Sequence, residues 1–215
     1  MLINIKELDF GYPYGKKVFE DLNFSLKSGE TVGLTGSNGA GKTTLFHLIM
    51  GLLKPDAGEI EIFGKARKVE RDFIEVRRRV GLVFQDSDDQ LFCPTVEEDI
   101  AFGPLNLGKS QEEAKAVVGE VCEKLGLKGF EKKVTHRLSG GEKRLVALAT
   151  AAAMNPECFL FDEPVVGLDE ATTDRFLRYL KEYGKTYVII THDREFLKSA
   201  VDKVYILKES KIIPC

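Results

Sequence analysis

Apolar residues in the first sixty positions fall into short alternating or clustered runs. Residues 2 to 8 and 18 to 26 carry two of these on either side of the turn-rich Gly11-Tyr-Pro-Tyr-Gly15, which predicts antiparallel strands. Glu30 to Thr35 is a shorter apolar strand. From Lys42 to Leu53 the period lengthens: Leu45, Phe46, Leu48, Ile49 and Leu52 mark one face of a helix, with Pro55 setting its end. Glu59 to Phe63 and Val80 to Phe84 read as two further strands, the second ending at Gln85.

From Gln85 to about Arg137 the pattern is helical. Thr95-x-x-Glu98 has the form of a capping box, in which each residue satisfies the other's backbone N–H, and Gln111 to Leu125 forms a second helix. Beyond lie a helix from about Gly141 to Met154, strand Cys158 to Phe161, a helix across Thr172 to Tyr183, strand Thr186 to Thr191, a helix around Arg194 to Ala200, and strands near Val204 to Leu207 and Lys211 to Ile213. Strands alternating with helices predict an α/β fold with a mainly parallel sheet covered on both faces. The expected organisation is one domain over 1–215. Residues 1–85 and 138–215 form its core, with an antiparallel β subdomain near the start and an inserted helical subdomain at 86–137. No internal repeat or low-complexity linker interrupts it.

Composition narrows the classes. A chain of 215 residues with 43% apolar content can build a sizeable core. Its net charge of −3 lacks the basic footprint of a nucleic-acid binder, so no nucleic-acid partner is expected. Cys93, Cys122, Cys158 and Cys215 are scattered without a C-x-x-C pair, which argues against a zinc site or a disulfide framework and fits reduced cytoplasmic thiols. The N-terminus shows no secretory pattern. The most apolar run, Leu145 to Met154, is about half of the ~20 residues that span a bilayer, so any membrane role is expected to be peripheral.

The chemistry begins at Gly36-Ser-Asn-Gly-Ala-Gly-Lys-Thr43, a complete phosphate loop between a strand and a helix. Its glycines free the backbone N–H groups of Ser37, Asn38, Gly39, Ala40 and Gly41 to surround phosphates. Lys42 neutralises the β- and γ-phosphates, the Thr43 hydroxyl suits Mg²⁺, and Thr44 reaches toward the α-phosphate. Strand 158–161 leads into Asp162-Glu163, where Asp162 suits the metal and Glu163 a water to be activated. Gln85 and His192 also follow strands, and ligands of open α/β sheets bind at such carboxyl ends. Each has a plainer reading: a polar residue leaving a sheet, or a surface histidine. Leu138-Ser-Gly-Gly-Glu142 is a second glycine-flanked serine opening a helix. One fold does not easily bring two such anchors to one nucleotide, whereas a second copy of the chain would.

The phosphate loop, Gln85, Leu138 to Glu142, Phe159 to Glu163, Gly167-Leu168-Asp169 and His192 stand in the order and approximate spacing of ABC transporter ATP-binding subunits, which the chain resembles over nearly its whole length. The resemblance implies an ATPase with ATP and Mg²⁺ as cofactors. It also implies a head-to-tail dimer of identical or paralogous chains in which Ser139, Gly140 and Gly141 meet the γ-phosphate held by Lys42 of the partner subunit. Asp169 would couple the two sites, His192 would contact the γ-phosphate, and Gln85 would sense metal and water. Tyr12 would stack on adenine, with Phe10 and Tyr14 as alternatives and core packing as the plainer reading of all three. The preference for ATP over GTP rests on the resemblance alone.

Phe84-Gln-Asp-Ser-Asp-Asp-Gln-Leu-Phe92 followed by Pro94 to Pro104 is similar to the energy-coupling-factor importers of cobalt, nickel and vitamins. That implies an ATPase peripheral on the cytoplasmic face of the membrane, with integral coupling and substrate-binding subunits as partners. Asp86, Asp88, Asp89, Glu97, Glu98 and Asp99 would then receive arginines from the coupling protein, or they serve only as helix caps and dipole partners. Three departures stand out. Glu142 replaces the usual Gln and makes Ser139-x-x-Glu142 a capping box of its own, Val165 and Val166 replace small polar residues, and the chain stops at Cys215 where cobalt-type subunits commonly continue. The last leads us to expect a monomer without nucleotide. The rival readings are a soluble mechanical ATPase acting on nucleic acid or ribosomes, the ATPase of another ABC transporter, and a nucleotide-gated module that rarely hydrolyses.

Overall fold

The computed structural model describes residues 1–215, which divide into two compact units: Met1–Val80 with Lys185–Cys215, and Gly81–Gly184. The chain begins in the first unit with β1 (Ile3–Gly11), β2 (Lys17–Leu26) and β3 (Thr31–Thr35), and then enters α1 (Lys42–Ile49). It continues through β4 (Ala57–Ile62), the short β5 (Lys65–Ala66) and α2 (Glu70–Arg79), after which β6 (Val80–Val83) leads into the second unit. Strands β2, β1, β4 and β5 form an antiparallel sheet in that order. Period-2 alternation puts Ile3 and Ile5 of β1 in the core, and a break in register between Ile5 and Leu8 shifts the phase so that Leu8 and Phe10 are buried as well.

Two features of this unit depart from expectation. Helix α1 ends at Ile49 rather than Leu53. Gly51, at φ 65°, turns the chain out of the helix, and Arg77 donates from Nε to the Met50 carbonyl at 3.1 Å, replacing a helical bond there. Helix α2 was not foreseen, because ERDFIEVRRR buries only Phe73 and Val76. Ion pairs supplement that narrow face: the Glu75 carboxylate takes Lys65 at 3.1 Å, the buried Arg67 at 3.0 Å and Arg79 at 2.8 Å, and is drawn down to about 2 by these bonds. Arg67 also donates to the carbonyls of Ile62 at 2.8 Å and Asp72 at 2.7 Å, which satisfies its buried guanidinium.

The second unit holds a 3-10 turn (Ser87–Asp89), α3 (Val96–Asn106), α4 (Gln111–Lys124), a second 3-10 turn (Thr135–Arg137), α5 (Gly140–Ala152), β7 (Cys158–Asp162) and α6 (Glu170–Tyr183). The helical segment therefore shares a unit with β6, β7 and the helices that follow. Phe159 and Phe161 stack at 5.2 Å, and Phe161 meets Phe176 of α6 edge-on, so β7 is buried throughout. The chain then returns to the first unit with β8 (Tyr187–Ile190), α7 (Arg194–Ala200), β9 (Lys203–Lys208) and β10 (Lys211–Pro214). There β3 pairs in parallel with both β8 and β9, and β10 closes the edge antiparallel to β9. No helix is long and apolar enough to cross a membrane.

Candidate functional site

In the first unit the phosphate loop runs from the end of β3 into the first residue of α1. Its shape depends on glycine at two positions. Gly41 has φ 99°, and a Cβ there would stand 2.6 Å from Val18 Cγ1, while a Cβ at Gly36 would meet the Leu207 carbonyl oxygen at 2.6 Å. The loop curls around its own lysine: Lys42 Nζ donates to the carbonyls of Gly36 at 2.9 Å and Ser37 at 3.1 Å. No side chain caps α1 and no acid lies in its first turn, so its N-terminal amides and dipole are left to an external anion. An uncapped helix start under a lysine-bearing loop of backbone N–H groups fits a polyphosphate.

Tyr12 lies beside this cradle. Its hydroxyl shares a hydrogen bond with Thr44 Oγ1 at 3.1 Å, and its ring, 45% exposed, meets Phe10 edge-on at 5.0 Å. Phe10 is a core residue and Tyr14 is fully exposed, which separates the three aromatics that the sequence left open. His192 follows β8, whose Ile190 is opposite Leu34 of the parallel β3, so the histidine leaves the sheet at the same carboxyl end of the strands as the phosphate loop.

The second unit carries the acids. Asp162 is the buried last residue of β7, and Glu163 directly after it adopts φ 45°, a left-handed conformation that a non-glycine residue holds at a cost. Gln85 is exposed two residues beyond β6, the hydrogen-bonded neighbour of β7. Arg144, which the sequence reading passed over, is half-buried: its Nη1 reaches the Phe84 carbonyl at 3.4 Å, and its charge faces Asp86, Asp162 and Glu163. Burial lowers its pKa while those three carboxylates oppose the shift. A basic residue one turn into the helix after Ser139 was the available signal.

Ser139 is the N-cap of α5. Its Oγ accepts the Glu142 N–H at 3.3 Å, and Glu142 Oε2 accepts the Ser139 N–H at 2.7 Å, so the expected capping box forms. Lys133 reaches Glu142 at 3.0 Å, and the Glu142 carboxyl is lowered first by the Ser139 N–H and then by this lysine. Gly140 and Gly141 occupy the first turn, and a Cβ at Gly141 would lie 3.4 Å from Thr172 Oγ1. Asp169 caps α6 through the Thr172 N–H at 2.7 Å. Val165 is buried and Val166 is 43% exposed.

Five of the six acids between positions 86 and 99 are engaged within the chain. Asp86 accepts the Asp88 N–H at 2.9 Å, Asp88 pairs with Lys143 at 2.6 Å, and Glu97 pairs with Lys132. Glu98 accepts the Thr95 N–H at 3.0 Å and its hydroxyl at 2.7 Å. The buried Asp99 receives the N–H groups of Phe92 at 3.1 Å and Cys93 at 2.9 Å, together with the Thr135 hydroxyl at 3.1 Å. Capping and internal pairing thus account for most of this acidity. All four cysteines are free; burial raises Cys93 and Cys122 to about 11 and moves Cys158 in the same direction.

The ABC transporter family profile matches residues 19–166. An energy-coupling factor transporter ATP-binding protein, EcfA, of Methanocaldococcus jannaschii is 46% identical over 99% of this chain and 77% of its own length. The protein of the same name from Methanothermobacter thermautotrophicus is 44% identical over 99% and 70% respectively. Among solved structures, cbiO1 from Clostridium perfringens, described as part of the ABC transporter complex cbiONQ, superposes with a TM-score of 0.87 at 34% identity over 99% of this chain and 86% of that one. A dimeric ATP-binding cassette in a post-hydrolysis state with ADP and Pi gives 0.89 at 28% identity over 98% and 96%.

Proposed function

The chain belongs to the ABC transporter ATP-binding family, and from that membership we propose that it is the ATP-hydrolysing subunit of an energy-coupling-factor importer of metal ions or vitamins. The observation that carries ATP binding is the start of α1, where an uncapped helix N-terminus, the Gly36–Gly41 loop and Lys42 form a polyphosphate cradle. The importer class is supported by relatives of that name that match almost the whole chain. None of them favours the reading as a mechanical ATPase on nucleic acid.

Within this reading Lys42 turns its ammonium from the loop carbonyls to the β- and γ-phosphates, the amides of Ser37 to Thr43 bind phosphate oxygens, and Tyr12 supports adenine with its ring while its hydroxyl steadies Thr44. Glu163 polarises the attacking water, Gln85 orients it, and His192 donates to the γ-phosphate. The Thr43 hydroxyl, the Gln85 amide oxygen and the Asp162 carboxylate are hard oxygen donors suited to Mg²⁺, which neutralises phosphate charge when bound. Ser139, Gly140 and Gly141 close over the nucleotide held by Lys42 of the partner subunit, so ATP draws two chains together and hydrolysis releases them. The protein works as one ATP-binding domain at the cytoplasmic face of the membrane, with the segment 86–137 meeting the integral coupling subunit.

Single-turnover hydrolysis tests the enzymatic half. Glu163→Gln is expected to bind ATP as well as the parent chain while the hydrolytic rate falls by at least about a hundredfold; equal rates would remove Glu163 from its role. The transport half is tested by isolating membranes with the tagged chain, where integral importer subunits should co-purify. Recovery with ribosomes or nucleic acid instead would overturn it.

A further inference from the structure

One side chain in the second unit joins two segments to which the reading above assigns separate tasks. Gln90, a half-buried residue directly after the 3-10 turn, uses both ends of its amide. Its Oε1 accepts the Phe84 N–H at 3.2 Å, next to Gln85, and its Nε2 donates to the Ala147 carbonyl and the Thr150 hydroxyl of α5, both at 2.7 Å. Thr150 is in turn held by its own bond to the Ala147 carbonyl at 2.8 Å, so the acceptors are presented in a fixed arrangement.

Two further contacts tie the same pieces together. Lys143 binds Asp88 at 2.6 Å, and Arg144 Nη1 reaches the Phe84 carbonyl at 3.4 Å. Lys143, Ala147 and Thr150 follow the i, i+4, i+7 spacing of one helix face, so α5 grips residues 84–90 along a single stripe. Ser139 stands at the head of that helix. Of these contacts only Gln90 reaches both Phe84 and the third turn of α5, and it does so with short, partly buried bonds that no surface ion pair equals in rigidity.

We propose that Gln90 is a positioning residue that locks the Gln85 loop and the Ser139 helix into one moving piece, so that a displacement of either one carries the other with it. Gln85 contacts the water at one nucleotide and Ser139 the phosphate at the other, so the lock couples the two ATP sites of a dimer within a single chain. The inference rests on the ATPase reading given above and adds the residue through which its two reporters communicate. Gln90 touches neither nucleotide nor water and acts through Phe84 and α5.

Steady-state ATP turnover by the full chain, with Ser139→Ala and Gln85→Ala as controls, tests it. Gln90→Leu keeps the bulk and removes both donors and the acceptor. Its kcat should fall by about tenfold or more with KM for ATP within about twofold of the parent, because the Lys42 loop is untouched. Gln90→Glu should be impaired at about pH 8, where a carboxylate faces the Ala147 carbonyl without a proton to give. Half-buried against the Ala147 carbonyl, that carboxyl is pushed above the usual ~4.3, so activity should recover relative to the parent toward about pH 5.5 as protonation restores a donor. A merely structural role would lower the melting temperature and shift KM together with kcat, so both are read for each variant, and the Glu variant decides the matter if the Leu variant does not fold. The lock is overturned if Gln90→Leu turns over like the parent while Ser139→Ala is impaired, or if Gln90→Glu follows the parental pH profile. If Ser139→Ala and Gln85→Ala both keep full turnover, the site reading itself fails and the lock falls with it.

Discussion

Ser139 and Glu142 satisfy each other's backbone, with Glu142 Oε2 on the Ser139 N–H at 2.7 Å and Ser139 Oγ on the Glu142 N–H at 3.3 Å. The Ser139 oxygen thus caps its own helix while its O–H remains to donate, and the Glu142 carboxylate held beside it puts a negative charge where the proposed closure would bring a partner's phosphate.

Glu142→Gln keeps the acceptor oxygen but loses the charge and the ion pair with Lys133. A cap of this kind contributes about 1 kcal/mol, and the amide should retain most of it. We expect a melting temperature lower by about one or two degrees and ATP-driven dimerisation at lower protein concentration. Unchanged dimerisation and turnover in light scattering and phosphate-release assays would show that the Glu142 charge does not oppose closure.

Gly41→Ala places a methyl group at φ 99° and 2.6 Å from Val18 Cγ1. Such strain costs about 1–3 kcal/mol and reshapes the cradle around Lys42. The variant should fold with a reduced melting temperature and lose most of its ATP affinity, measured by fluorescent-nucleotide titration. Parental affinity would show that the loop tolerates rearrangement.

Tyr12→Phe removes the hydroxyl that meets Thr44 but keeps the ring, whereas Tyr12→Ala removes both. If the ring carries the adenine, Phe should raise KM for ATP by no more than about threefold and Ala by about tenfold or more, in keeping with the value of an aromatic stack. Equal losses would assign the effect to the hydroxyl.

Glu75, drawn down to about 2 by Lys65, Arg67 and Arg79, ties α2 to β5. Because its folded value lies below its unfolded one of 4.5, its stabilisation is complete above about pH 4.5 and is lost as pH falls toward about 2. Glu75→Gln should therefore melt lower than the parent at neutral pH, with the gap closing as pH drops through that window. A gap independent of pH would assign the loss to packing.

The strands around the phosphate loop, the loop itself and the capping boxes at Thr95 and Ser139 were legible because each is written in consecutive residues. The loop's glycines are spelled out in the motif itself, and Glu142 needs only a residue three positions away. Helix α2 was missed because Phe73 and Val76 alone mark its buried face, and the charges that hold it come partly from Lys65 and Arg67 outside the helix. The early end of α1 depended on Arg77, which reaches back to the carbonyl of Met50.

Local order therefore settled the form of the Gly36–Thr43 loop and which polar residues follow the strands, since backbone conformation and short-range hydrogen bonds specify both. Long-range folding settled how the polar groups are used. Asp99 reads as one acid among six until folding buries it against Thr135, and Gln90 reads as a polar loop residue until α5 supplies Ala147 and Thr150. A buried carboxylate or amide must find its partners wherever the chain brings them. No periodicity announces partners separated by 36 or 57 residues.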